Sequence, residues 1–234
     1  MYQSDESNGI PVPPETDDRM ARRDVIRMVR DQIQAFFEGA RGSHDWDHTE
    51  RVFRLCERIG SLEGADMDVL LIAAYLHDIG RSRQDSSNGA VCHADAGARM
   101  AASVVAKLPM SDARRENILH SIRSHRFRGR STPRTLEARV LFDADKLDAI
   151  GAVGVARAFL FAGEVGARLH NPDIDIETTK PYSREDTGYR EYKVKLCKVK
   201  DRMLTSTGRR LAEERHYFME QFFQRLQDEH EGKR

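Results

Sequence analysis

Apolar residues recur along this chain at intervals of three and four, the period of an amphipathic helix. Met20, Val25, Ile26, Val29, Ile33, Phe36 and Phe37 make one such face, with Thr16, Asp17 and Asp18 as N-cap candidates and Gly39 as a stop. After a loop at Arg41–Trp46, Asp47 can cap a second helix whose inward face is Val52, Leu55, Ile59 and Leu62, closed by Gly64. Asp66 then caps a third helix with a nearly continuous apolar run, Val69 to Leu76, which implies burial on most sides. That run ends at His77-Asp78-Ile79-Gly80, and a polar loop is expected over 81–92. Further helices are expected at about 93–108, which Pro109 ends, from Ser111-Asp112 to about 125, and as one long element from Leu136 to about Phe161. Residues 163–189, punctuated by glycine and proline, read as irregular. Two helices close the chain, at about 192–204 and 207–229. No segment alternates as a strand would, so the fold class expected is all-α.

Composition narrows this picture. Residues 1–16, with three prolines and few apolar side chains, read as a disordered tail, which leaves 17–234 as a single domain. Its core is expected at about 40–165, with a C-terminal helical extension at about 190–230. Lys plus Arg equals Asp plus Glu, at 38 each, so net charge points to neither a polyanion nor a membrane surface. The basic stretch Arg126–Arg134 is interleaved with a single aromatic, Phe127, and nucleic acid is therefore not the expected partner. No run approaches the roughly 20 apolar residues of a membrane span. Cys56, Cys92 and Cys197 are odd in number, widely spaced and without zinc spacing, and read as reduced thiols of a cytoplasmic protein. Monomer and homodimer both remain open, because Tyr217, Phe218, Phe222 and Phe223 suit core packing or a partner, with core packing favoured.

The informative chemistry is histidine beside carboxylate. His77 and Asp78 directly follow a buried run, and a buried carboxylate is costly unless paired or bound to a cation. Asp143, Asp145 and Asp148 interrupt an otherwise apolar helix; Asp145 and Asp148 share a face while Asp143 points elsewhere. Imidazole and carboxylate together suit Mn, Fe, Co, Ni or Zn, and facing helices of a bundle can bring such residues to one point.

These segments resemble the HD-domain phosphohydrolase superfamily, named for its H…HD…D metal site. His48 in DWDHTERV matches the first histidine, His77 and Asp78 in AAYLHDIGR match the pair, and Asp145 in DADKLDAIG matches the last aspartate. His93 followed by Gly97-Ala98, HSIRSHRF at 120–127 and the segments at 136–159 and 195–223 are similar to one subgroup of small stand-alone HD hydrolases. No GYP tripeptide marks the cyclic-dinucleotide class. The resemblance implies an HD-type helical bundle in which His48, His77, Asp78 and Asp145 hold one divalent transition metal. It also implies hydrolysis of a small phosphorylated metabolite, a nucleotide by preference, with release of pyrophosphate from a nucleoside triphosphate as the specific suggestion. Arg81, Arg126 and Lys146 are the expected phosphate contacts, since charge spreads over phosphoryl oxygens during transfer. His125 is the candidate for proton transfer, His93 for a place facing substrate, and Asp148 for orienting a histidine or a water. The order His93, then His120 or His125, also permits a second metal, although one is expected. A dinuclear-iron oxygenase and a non-enzymatic nucleotide sensor stand as alternatives. Asp45 and Asp47 are read as loop and cap residues, and His170, His216 and His230 as surface residues.

Overall fold

The computed structural model describes residues 17–37, 45–87, 89–126, 131–173, 175 and 178–234. The expectations for the 1–16 tail, the Met20 side chain, Gly39, the 41–44 loop, Phe127, Arg128 and Arg130 lie outside these residues. Ten α-helices are described: α1 (Asp17–Gln34), α2 (Trp46–Glu63), α3 (Met67–Leu76), α4 (Arg81–Ser86), α5 (His93–Val105), α6 (Asp112–Ser124), α7 (Leu136–Leu147), α8 (Gly151–Glu164), α9 (Gly188–Val194) and α10 (Ser206–His230). Short 3-10 turns at Ala35–Phe37, Leu196–Lys198 and Lys200–Arg202 join them, and no strand occurs among the described residues. The fold is all-α, as the periodicity requires.

α3 is the central element. Every residue from Val69 to Leu76 is buried, and α1, α2, α5, α6 and α7 surround it. Its start is fixed by Asp66, whose carboxylate accepts from the N–H groups of Asp68 and Val69. Its far end is fixed against the start of α2 by aromatics. Trp46 stacks on Tyr75 with centroids 5.9 Å apart, and Tyr75 stacks on Phe53 at 4.4 Å. Two residues beyond Trp46 lies His48, and two beyond Tyr75 lies His77, so this stack sets the separation of the two imidazoles.

Several sequence expectations are corrected. The α2 N-cap is Asp45 rather than Asp47: its carboxylate accepts from the His48 N–H at 2.9 Å. Leu62 faces solvent and Cys56 takes an inward place, because the α2 stripe drifts round the helix. Phe36 is half exposed whereas Phe37 is buried. The polar stretch after Gly80 forms the short α4, followed by a turn. The long helix expected from Leu136 to Phe161 is two helices, α7 and α8. The break falls at Asp148–Ile150, and Gly151 adopts φ 76°, a left-handed conformation that side chains disfavour. The helix expected at 192–204 is instead α9 followed by the two 3-10 turns. Phe223 packs in the core and Phe222 against it, while Tyr217 and Phe218 are exposed.

Gly80 has a different role. A side chain there would lie 2.3 Å from the His93 carbonyl oxygen and 2.5 Å from the Gly97 nitrogen. The absence of one lets the backbone after His77-Asp78 lie directly against α5, which brings His93 to the end of α3.

Candidate metal centre

His48, from the first turn of α2, and His77, from the end of α3, meet with their Nε2 atoms 3.3 Å apart. Asp145 of α7 places Oδ1 3.5 Å from His48 Nε2. Asp78 places Oδ2 3.8 Å from both of those Nε2 atoms. The four residues named from the H…HD…D pattern therefore converge. His93 at the start of α5 and His125 at the end of α6 converge as well, 3.1 Å apart through Nε2. Asp78 Oδ1 lies 3.5 Å from His93 Nε2 and 3.6 Å from His125 Nε2. Two trios with metal-ligand spacing result, His48–His77–Asp145 and Asp78–His93–His125, each with its donor atoms within 4.8 Å of one another. Asp78 faces both.

The other ring nitrogens decide what these contacts mean. His77 Nδ1 lies 2.7 Å from the Ala74 carbonyl oxygen and His125 Nδ1 lies 2.6 Å from that of Ile122. His93 Nδ1 lies 2.8 Å from Gln84 Oε1, and His48 Nδ1 lies 2.8 Å from Asp148 Oδ2. Each of these partners is an acceptor, so each Nδ1 carries the hydrogen and donates it. Every Nε2 then presents a lone pair. Burial pushes His77 down to about 4, and burial lowers His93 further, so neither ring takes a second proton near neutrality. Lone pairs face lone pairs at 3.1–3.3 Å beside two carboxylates. Such a donor set fits a cation, which relieves both the lone-pair repulsion and the carboxylate charge.

Asp145 is largely buried. Burial raises its pKa, but opposing charge, that of the Lys146 ammonium foremost, outweighs burial and holds it well below the usual carboxylate range. Lys146 Nζ bonds Asp145 and also donates to the His125 carbonyl oxygen at 3.2 Å. The Arg81 guanidinium lies 3.3 Å from both Asp78 oxygens and 3.5 Å from His93 Nε2. Arg126, half-buried, follows His125 at the end of α6.

The three aspartates of α7 separate by role. Asp148 lies behind His48 and accepts from Nδ1, while Arg51 Nε donates to Oδ1 at 2.7 Å and Arg157 donates to Oδ2 at 2.6 Å. Burial pushes Asp148 up, but these hydrogen bonds and the Arg157 charge outweigh it and hold it ionised. His48 thus sits between Asp148 on one nitrogen and Asp145 on the other. Asp143 faces away and accepts from the N–H groups of Leu204 and Thr205, both at 2.8 Å, and from the Thr205 hydroxyl at 2.7 Å. Sequence reasoning missed Arg51 and Arg157. Arg51 stands three residues after His48, a spacing that offered a signal; Arg157 reaches Asp148 only because the chain breaks between α7 and α8.

His120 is not part of the cluster: its Nε2 accepts from the Arg134 N–H at 3.0 Å. His170 and His216, expected at the surface, are buried, whereas His230 is exposed. His170 packs edge-on to Tyr189 and His230, and His216 pairs with Glu220 one turn along α10. The polar residues around both hid this: His216 lies on the inward side of α10, and the end of α10 packs on His170.

An all-helical frame with an H…HD…D cluster at the junction of α2, α3 and α7 defines the HD-domain class. The HD domain family profile matches residues 45–150. The chain is 35% identical to YpgQ of Bacillus subtilis over 212 residues, covering 87% of this chain and 93% of that protein. A crystal structure of Bacillus subtilis YpgQ in complex with ADP superposes with a TM-score of 0.69 at 30% identity, over 90% of this chain and 97% of that one. A Bacillus thuringiensis protein described as an HD-superfamily hydrolase gives a TM-score of 0.70 at 26% identity, over 89% of this chain and 97% of that one. The chain belongs to the HD-domain family. Among its described residues, no helix is long and apolar enough to cross a membrane.

Proposed function

We propose that this chain is a metal-dependent phosphohydrolase of nucleotides, splitting a nucleoside triphosphate to a monophosphate and pyrophosphate. One observation carries the reading: His48 and His77 aim their Nε2 atoms at one point beside Asp78 and Asp145, with Arg81 and Lys146 at its edge. The ADP complex of YpgQ supports a nucleotide as ligand. His48, His77, Asp78 and Asp145 would hold the ion, with manganese as the first candidate among Mn, Fe, Co, Ni and Zn. A divalent ion in this position supplies Lewis acidity toward a phosphoryl oxygen and lowers the pKa of a bound water.

The chain's own groups do the rest. Asp148 fixes the His48 tautomer, so the lone pair stays aimed at the centre. Lys146 and Arg81 stand where they can meet phosphate oxygens and the charge that grows on them. Arg126 extends this positive edge. His93 and His125 face Asp78 Oδ1; His93 is the candidate to face substrate and His125 the candidate to accept or return a proton. The free thiols suit a cytoplasmic protein.

The trio Asp78–His93–His125 favours a second reading, a dinuclear centre. Arg81 weighs against it. Its guanidinium already lies against Asp78 and His93, and a second divalent ion would face that charge at close range. One metal with Arg81 as the neighbouring cation is the arrangement proposed.

The test is a panel of nucleoside mono-, di- and triphosphates and generic phosphodiesters assayed with Mn, with products identified. Pyrophosphate and a nucleoside monophosphate are expected. His77→Ala and Asp78→Ala are expected to lose both bound metal and turnover; wild-type metal content and rate in either variant would refute the site. Two irons per chain with an intervalence band would favour an oxygenase, and ADP binding without turnover of any panel member a sensor.

A further inference from the structure

A cavity of about 290 Å³ opens beside the α7–α8 junction, outside the histidine cluster, lined among others by Ala149, Arg157, Phe161, Tyr182, Asp186 and Arg190. Ala149 follows Asp145 by four residues, and positions so spaced share a helix face about 6 Å apart. The backbone supports this: Asp148 N–H still bonds the Ala144 carbonyl oxygen, and Ala149 N–H that of Lys146. One wall residue of the cavity, Ala149, therefore lies one turn beyond the aspartate of the metal centre, just past the end of α7. Arg157, in its wall, is also the residue that bonds Asp148 behind His48.

Its chemistry is that of a seat for a flat, neutral group. Three cations line it, and each has a carboxylate: Arg157 has Asp148, Arg190 has Asp186 at 2.7 Å, and Lys195 has Glu191 at 2.8 Å. Asp148 also pairs with Arg51, so a single unmatched positive charge remains beside the cavity, less than a bare phosphate calls for. Phe161 and Tyr182 form an aromatic corner, with centroids 5.7 Å apart and planes at 73°. Tyr182 is 76% exposed and holds φ 57°, a left-handed conformation rare for an aromatic residue. Such backbone persists only where its surroundings over-determine it, and it gathers at ligand sites. Here Asp186 accepts from the Tyr182 N–H at 2.7 Å, and Arg190 pins Asp186 from below while donating to the Thr179 carbonyl oxygen at 2.9 Å. Arg190 Nε is buried without a hydrogen-bond partner among the described residues. At the lower end of the roughly 300–1,000 Å³ typical of small-molecule sites, the cavity suits one base or nucleoside.

We propose that this cavity seats the base of the nucleotide whose phosphates meet the metal centre, with Tyr182 as a stacking surface; the proposal rests on the nucleotide reading above. Titration calorimetry on the full chain with Mn tests it, using the four common nucleoside diphosphates and inorganic pyrophosphate as a base-less probe. Tyr182→Gly removes the ring and relieves the left-handed backbone, so folding is not at risk. It is expected to raise the ratio of nucleotide to pyrophosphate dissociation constants by about tenfold, the scale of one base stacked on an aromatic ring. Tyr182→Phe, which keeps the ring, is expected to restore that ratio. If the wild-type chain binds nucleoside diphosphates but Tyr182→Gly leaves the ratio unchanged, the cavity assignment is overturned while the nucleotide reading survives. Wild-type protein that binds pyrophosphate and no nucleotide overturns both.

Discussion

Asp143→Ala separates structural from chemical aspartates on α7. Asp143 stands two residues before Asp145, so a sequence motif alone would treat them as one unit. Its carboxylate is fully buried and accepts from two backbone N–H groups and the Thr205 hydroxyl. Thr205 in turn caps α10 through the Gly208 N–H at 2.9 Å. Truncation leaves those donors without an acceptor at the point where α10 docks on α7. Each buried orphan costs about 1–3 kcal/mol. The Leu204 N–H gains some water, and burial already holds the Asp143 pKa above the usual range, so the carboxylate itself is not ideally stabilised. A net loss of about 2–5 kcal/mol follows, or roughly 5–15 °C in Tm for a domain of this size. Asp145→Ala should behave in the opposite way: a metal-free Tm within a few degrees of wild type, but no rise on adding Mn. Scanning calorimetry with and without Mn, together with metal analysis, reads both variants. An Asp143→Ala protein that melts with wild type but loses metal would refute the division of roles.

Three further outcomes are expected. Lys146→Ala should keep its metal while kcat/KM falls by about 10- to 1,000-fold, the range for losing one donor to developing charge; loss of metal would make Lys146 a structural partner of Asp145 instead. Arg81→Ala should raise bound Mn, measured by plasma emission, from one toward two per chain, because it removes the cation beside Asp78 and His93; wild-type protein already holding two would overturn that reasoning. Arg114→Gln should make the fold more acid-sensitive by circular dichroism. Burial raises the Asp66 pKa, but the Arg114 hydrogen bond and backbone donors outweigh it. A depressed folded pKa means stability present above the unfolded value of about 3.9 and lost as pH falls through the folded one. Losing Arg114 should move the acid midpoint upward, and an unmoved midpoint would count against the pairing.

The histidine–aspartate cluster was legible because its residues violate the pattern around them. His77 and Asp78 end a run that has no other polar residue, and Asp145 interrupts an apolar helix. What stayed hidden depended on contacts between distant segments. The break at 148–150 lies in DAIGAVG, whose apolar rhythm continues across it, and only the packed chain shows Gly151 left-handed. α4 has no buried residue and so no periodicity to read. Burial of His170 comes from packing against Tyr189 of α9 and His230 of α10, elements that its own neighbours in sequence do not announce. The pairing of His93 with His125 requires the close approach at Gly80, which nothing local encodes.

The charges of the site argue for its ligand more strongly than any one residue does. Four buried imidazoles each have an acceptor at Nδ1, which leaves Nε2 turned toward the centre as the donor atom. Asp148 is matched by Arg51 and Arg157 and adds nothing to the centre beyond orientation. Asp78 and Asp145 remain, and a divalent ion between them would cancel their charge. The ammonium of Lys146 and the guanidinium of Arg81, now spent on those carboxylates, would then be available to an incoming group. A neutral substrate would leave these charges desolvated at a partly buried site, whereas a polyphosphate meets them with oxygens already negative. Metal binding and phosphate binding would therefore be coupled: the ion releases the cations that the phosphate needs.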